Sequence, residues 1–167
     1  AENPLNMATS LNNFALFYEN QGRYLEAVPL FEEALFFYEK ASGKNSDDYD
    51  YGRNQLAHLY KKIDKYTEAK ILYLECIEYA KSKYGEKHLE DGIALDNLGL
   101  LYLEQNELEK AEPLIIEALD IFKKTEGVES SDYVICLNNL ARLYLKKEDF
   151  LRSKELFLQT LNIKKKI

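Results

Sequence analysis

The chain has 167 residues, 46% of them hydrophobic and 31% charged, with a formal net charge of -7. That is too apolar for a disordered chain and enough for a packed core, while the acidic balance argues against nucleic acid, which needs a basic face. No apolar run of about 18 residues is present to cross a membrane, and no signal peptide opens the sequence.

The chain opens on AENPLNMATS, which reads like the end of a link, and then enters LNNFALFY at 11–18. YLEAVPLFEEAL follows at 24–35, then Gly43 and Ser46. The same order returns as RNQLAHLY at 53–60, YTEAKILYLECI at 66–77 and Gly85. It returns again as LDNLGLLY at 95–102, LEKAEPLIIEAL at 108–119, Gly127 and Ser130. The last copy is LNNLARLY at 137–144 with FLRSKELFLQTL at 150–161. Each step is 42 residues, so the chain is four copies of one unit.

Within a unit the spacing is helical. Leu95, Leu98, Gly99 and Tyr102 share one face of a first helix, and Ala111, Leu114, Ile115, Ala118 and Leu119 one face of a second. Gly22, Asp64 and Asn106 stand in the turn between them, as residues that tolerate a left-handed backbone. Glu148 departs from that set, and the neighbouring Asp149 is expected to serve instead. Gly43, Gly85 and Gly127 are expected to cap second helices, and Ser46 and Ser130 to start first helices. Small residues recur where the two helices should touch: Ala15, Ala57, Gly99 and Ala141 on the first, Ala27, Ala69, Ala111 and Ser153 on the second. Tyr18, Tyr60, Tyr102 and Tyr144 are the same in all four copies, which suits a half-buried ring whose hydroxyl reaches a partner. The expected hairpins are about 5–42, 47–84, 89–126 and 131–167, in one all-α array over 1–167. One hairpin cannot bury its own apolar face; stacked copies can.

These residues resemble a tetratricopeptide repeat. Leu11, Phe14, Ala15, Tyr18, Ala27, Phe31 and Ala34 stand at the family's consensus spacing. The 42-residue unit, with QGRYLEAVPLFEEAL and LNNLARLYL, is similar to the repeats of kinesin light chains and their bacterial relatives. The link of that subfamily, Gly-x-x-His-Pro, survives only as His88 followed by Leu89. The resemblance implies a right-handed superhelical solenoid of four helix-turn-helix repeats, with first helices on the concave face. It also implies a binding role without catalysis or cofactor, towards a protein or peptide partner rather than nucleic acid or membrane.

In such a groove the inward pairs would be Asn12 and Asn13, Asn54 and Gln55, Asp96 and Asn97, and Asn138 and Asn139. A side-chain amide offers a donor and an acceptor without charge, so a row of amides can hold an extended backbone whatever its side chains. In the resembling family groove asparagines do this; Asn13, Gln55, Asn97 and Asn139 are the expected set. The alternative, that one amide of each pair only bonds a neighbouring helix or loop, stays open. Further groove candidates are Leu16, His58, Leu100 and Arg142, then Glu19, Lys61, Leu103 and Leu145. Arg53, His58, Lys61, Lys62, Arg142 and Lys146 could supply charge, so a mixed groove preferring acidic and apolar anchors is expected. Residues 85–126 carry eleven carboxylates against four lysines, the most acidic stretch of the chain.

Cys76 and Cys136 fall inside helical patterns and read as small buried thiols, which fits a reducing, cytoplasmic setting. His58 and His88 have no metal-ligand spacing, and there is no phosphate loop or nucleophile motif. A monomer is expected, with end-to-end self-association or a regulatory role within a larger signalling protein as alternatives. The apolar last helix and the link-like first residues point to a longer array.

Overall fold

A computed structural model describes residues 3–166. Among them are eight α-helices and no strand: α1 Pro4–Asn20, α2 Tyr24–Ser42, α3 Asp47–Lys62, α4 Tyr66–Tyr84, α5 Leu89–Glu104, α6 Leu108–Thr125, α7 Ser131–Lys146 and α8 Phe150–Lys164. The chain divides into two compact units, Ala1–Tyr79 and Ala80–Ile167.

The helix ends follow from local chemistry. Ser46 and Ser130 accept hydrogen bonds from the Tyr49 and Tyr133 amides at the starts of α3 and α7. The third copy has no serine there; His88 takes its place, its Nδ1 accepting from the Glu90 amide at 3.4 Å. The turns inside the hairpins need one left-handed residue, and Gly22, Asp64, Asn106 and Glu148 supply it at φ 74, 61, 61 and 61°. Glu148 therefore takes the turn position itself. Asp149 does a different job: its carboxylate accepts from the Arg152 amide and caps α8.

In the first unit, Ala15 and Ala27 let α1 and α2 approach, and Phe31, Leu56 and Leu59 fill the space where α3 packs on them. A second cluster joins Ala8, Ala34 and Tyr38. Polar contacts tie α3 back to the first hairpin: Tyr60 donates to Glu32 at 2.7 Å and Lys62 to Glu19 at 2.8 Å. Between α3 and α4, Arg53 is buried at 7% exposure where the other copies have leucine (Leu11, Leu95, Leu137). Its guanidinium donates to Asp50 at 2.6 Å and Glu75 at 3.4 Å.

In the second unit, α5 and α6 meet at Gly99, where an added Cβ would stand 2.6 Å from Ile115 Cγ1. Leu101, Ile115, Ala118, Leu137, Ala141 and Leu143 of this unit are almost wholly buried. Ser153, at the small position of α8, donates its hydroxyl to the Ala141 carbonyl at 2.9 Å. Both cysteines are buried and free, as read from sequence.

The junction of α6 with α7 carries an acid-sensitive contact. Glu112 accepts from Lys147 at 2.5 Å and from the Tyr144 hydroxyl at 2.7 Å. The lysine first, then the tyrosine, hold its carboxyl below the ordinary value of 4.5. A carboxyl depressed in the folded state adds stability above its unfolded pKa and loses it as pH falls through the folded one. Thermal unfolding followed from pH 7 down through the range below 4.5 is therefore expected to show a shallower acid-side loss in Glu112→Gln than in the wild type. Parallel curves would remove Glu112 from the acid response.

Candidate functional site

The predicted inward pairs lie on the first helices, but the two members of a pair are not alike. Asn12 is 2% exposed and its Oδ1 is buried without a hydrogen-bond partner among the described residues. Asn13 beside it is exposed. Asn54, Gln55, Asn97 and Asn138 are partly exposed, while Asp96 and Asn139 are buried at 8% and 4%.

Asn139 is accounted for within the fold. Its Nδ2 donates to the Asp96 carboxylate, at 3.0 and 3.3 Å to the two oxygens. The two residues are 43 apart, so the second polar residue of one copy reaches the first of the preceding copy. The alternative left open by the sequence thus describes Asn139; Asn97 is partly exposed.

The charged residues expected to greet an acidic ligand are mostly engaged elsewhere. Arg53 belongs to the packing stripe, not to an open face, because Asp50 and Glu75 hold it among Tyr49, Tyr79 and Cys76. Lys62 is on Glu19, and Lys146 donates to the Leu103 carbonyl at 2.8 Å. Glu19, Lys61 and Leu103 are buried, so these one-turn-later candidates line the interior. His58 sits 4.0 Å from Glu19. Burial, with Lys61 and Lys62 close by, pulls its pKa below the ordinary value, so at neutral pH it offers a hydrogen bond rather than a charge. Arg142 stays exposed.

What the second unit presents instead is a hollow of about 190 Å³ where α5 and α7 touch. Ile93, Asp96, Asn97 and Leu100 of α5 line one side, Asp132 and Ile135 of α7 the other, and Phe122 of α6 also borders it. Ile135 is 54% exposed at this site. The hollow thus gathers three of the sequence candidates, Asp96, Asn97 and Leu100, with Asn139 bonded behind Asp96. Ile93, Asp132 and Ile135 escape a reading of the repeated amides. The two isoleucines lie one turn earlier, where the first two copies have Thr9 and Tyr51. Among the described residues no group of three or more His, Cys, Asp or Glu is placed to hold a metal ion, and no helix is long and apolar enough to cross a membrane.

The tetratricopeptide repeat family matches residues 6–82, 51–124 and 107–166. No curated protein matches the sequence significantly. Among solved structures, BtubC (BKLC) from P. vanneervenii superposes with a TM-score of 0.85 at 23% identity, over 98% of this chain and 65% of its own. A kinesin light chain-type protein of Podosopora anserina with nearly identical TPR-like repeats gives 0.81 at 22% identity, over 99% and 78%. The apo form of RapI gives 0.81 at 18% identity, covering 100% of this chain and 45% of RapI. The chain therefore spans less than two thirds of BtubC and less than half of RapI. Those likenesses agree with the fold read from the repeats, an all-α repeat of the solenoid class. With matches that together run from residue 6 to residue 166, and a 42-residue period, the chain belongs to the tetratricopeptide repeat family, in its kinesin-light-chain-like form.

Proposed function

We propose that this chain is a protein-interaction scaffold that binds a short linear peptide along its first helices, with Asn97 and the residues around it as the contact on α5. The observation that carries the reading is the hollow beside Asn97, where a partly exposed amide stands next to the exposed Ile135 and the partly exposed Ile93 and Leu100. An amide there can pair with the backbone of an extended ligand, and the aliphatic walls can take a side chain. Asn13, Asn54, Gln55, His58, Asn138 and Arg142 are the further contacts, each at least partly exposed on its first helix. Asn12 and Asn139, both buried, position their helices rather than touch the ligand.

A random-peptide display selection on the chain tests this, with Asn97→Ala beside the wild type. A shared motif enriched by the wild type and lost by the variant is expected. A selection that enriches nothing overturns the reading.

One observation favours a second reading, self-association. Phe14 and Phe17 are 48% and 53% exposed, at positions where Leu56 with Leu59 and Leu140 with Leu143 are buried. The last helix, α8, carries an apolar hollow of about 370 Å³ lined by Leu145, Phe150, Phe157, Leu158 and Leu161. Two such faces on separate copies can stack head to tail. Light scattering over a concentration series separates this reading, by a mass that rises with concentration, from the first.

A further inference from the structure

Inside each unit, one repeat rests on the next through the same positions. In the first unit Leu56 and Leu59 of α3 share a buried cluster with Phe31 of α2, and an added Cβ at Gly52 would meet Leu35 of α2 at 3.3 Å. In the second unit Leu140 and Leu143 of α7 are buried, and the Cys136 thiol donates to the Ile115 carbonyl of α6 at 3.4 Å. The first helices are also tied to each other there, by Asn139 reaching back to Asp96.

The first and last helices carry these positions exposed. Phe14 and Phe17 of α1 are the counterparts of Leu56 and Leu59, and both are about half exposed. Their rings and that of Tyr18 stand 4.8 to 6.2 Å apart, so they form one aromatic face rather than scattered side chains. Phe157 and Leu161 of α8 are the counterparts of Phe31 and Leu35, and they line the apolar hollow on that helix. The amides continue in the same way. Asn13 is the counterpart of Asn139, and Asn138 that of Asp96; the first is exposed and the second partly exposed. The amide oxygen of Asn138 can accept from Asn13 as the Asp96 carboxylate accepts from Asn139, with side chains of the same length.

Charge selects the orientation. Residues 1–42 carry six carboxylates against two cations, and residues 127–167 carry eight cations against five carboxylates. A last repeat set on a first repeat brings opposite net charges together, whereas two first repeats or two last repeats repel.

We propose, on the self-association reading above, that α1 packs on α8 of a second copy in the register of the internal junctions: Phe14 and Phe17 against Phe157 and Leu161, and Asn13 on Asn138. The contact is heterologous, so a pair leaves one α1 face and one α8 face open to further copies. Asn13 and Asn138 then serve the junction, while Asn54, Gln55 and Asn97 remain for a peptide. The internal junctions have carboxylates, Glu32 and Glu112, that accept from Tyr60 and Tyr144. Leu158 and Lys154 stand at those two positions on α8, so the junction between copies is weaker than those within a chain and depends on concentration.

Light scattering of the whole chain is expected to show a mass that rises with concentration. Phe17→Glu and Leu161→Glu each block one face, at positions exposed enough to leave the fold intact. Each variant alone is expected to associate about tenfold or more weakly than the wild type. Mixed in equal amounts, they are expected to form a pair of one chain each and nothing larger, because each supplies the face the other lacks. Thermal melts check that both are folded; Phe17→Ala and Leu161→Ala replace any that is not. A short bifunctional maleimide reads the register. Asn13→Cys chains mixed with Asn138→Cys chains are expected to cross-link, with the wild type as the blank, since Cys76 and Cys136 are buried. Variants that associate alone as the wild type does, or a mixture that stays monomeric, overturn the pairing of α1 with α8 and leave self-association standing. A mixture that pairs without the cross-link overturns the register. A wild type that stays monomeric throughout overturns both self-association and this junction, and leaves peptide binding to the display selection.

Discussion

Arg53→Met is expected to lower the stability of the first unit by about 3–5 kcal/mol, while Asp50→Val with Arg53→Leu leaves it unchanged or raises it by about 1–4 kcal/mol. The guanidinium is 8% exposed at its side chain and Asp50 is 16% exposed. Burial opposes the Arg53 charge, and the hydrogen bond from Arg53 to Asp50 leads the effects that outweigh it, leaving its pKa above the ordinary value. The pair is incompletely satisfied even so, because Arg53 Nε is buried without a hydrogen-bond partner among the described residues. Breaking the pair leaves the Asp50 carboxylate facing Cys76, whose own pKa is raised by burial first and by Asp50 second. Replacing both partners removes both desolvation costs. Val and Leu are the residues the fourth copy has at these two positions, Val134 and Leu137, both buried. Glu75, with a side chain 47% exposed, can turn to water. Urea unfolding of wild type, single and double variants gives the three values. A double variant as unstable as the single would mean that the ion pair holds α3 on α4 in a way leucine cannot.

Arg53 also shows where the sequence is legible and where it is not. The period of 42, the hairpins, the small residues at their crossings and most turn positions can be read, because each rests on a local rule repeated four times. A helix stripe needs residues at the right spacing, and a left-handed turn needs a particular backbone, whatever lies elsewhere. Glu148 defeats a reading by residue type because type only biases a turn; the geometry of the hairpin forces the left-handed position on whichever residue stands there. Arg53 reads as a residue of an open face because a lone charge suggests solvent, and its partners, Asp50 one turn away and Glu75 on the next helix, come together only in the folded unit. The same limit applies to the candidate site. The twin amides are visible as a pattern, yet whether an amide faces a ligand or a neighbour depends on a residue 43 positions away, as Asn139 on Asp96 shows. The hollow is invisible for a related reason. It is made by residues from three helices, and the repeated amides mark only Asp96 and Asn97 of them; Ile93, Phe122, Asp132 and Ile135 stand outside that pattern.

Gly99→Ala is expected to cost about 1–3 kcal/mol, and Ile115→Ala about 2–5 kcal/mol, while the two together cost at least about 1 kcal/mol less than their sum. Alanine is what the other three copies have at the position of Gly99, as Ala15, Ala57 and Ala141, all 0% exposed. In an isolated helix it would be favoured over glycine by about 1 kcal/mol. The third hairpin reverses that preference because a methyl added at Gly99 would meet Ile115 Cγ1 at 2.6 Å, with the Ile115 amide nitrogen at 3.4 Å and the Ala111 carbonyl at 3.5 Å behind it. A branch at Cβ cannot swing away inside a helix, and Ile115 is 0% exposed, so neither side has room to give. The equivalent residues of the first two copies, Phe31 and Tyr73, branch only further out, which is compatible with alanine opposite them. Truncating Ile115 leaves a cavity where the clash had been, and the methyl introduced by Gly99→Ala enters it. Urea unfolding of the four proteins in this cycle measures the coupling. Strict additivity would show that α5 and α6 can move apart to admit the methyl, and that the close approach at Gly99 is not what fixes their spacing.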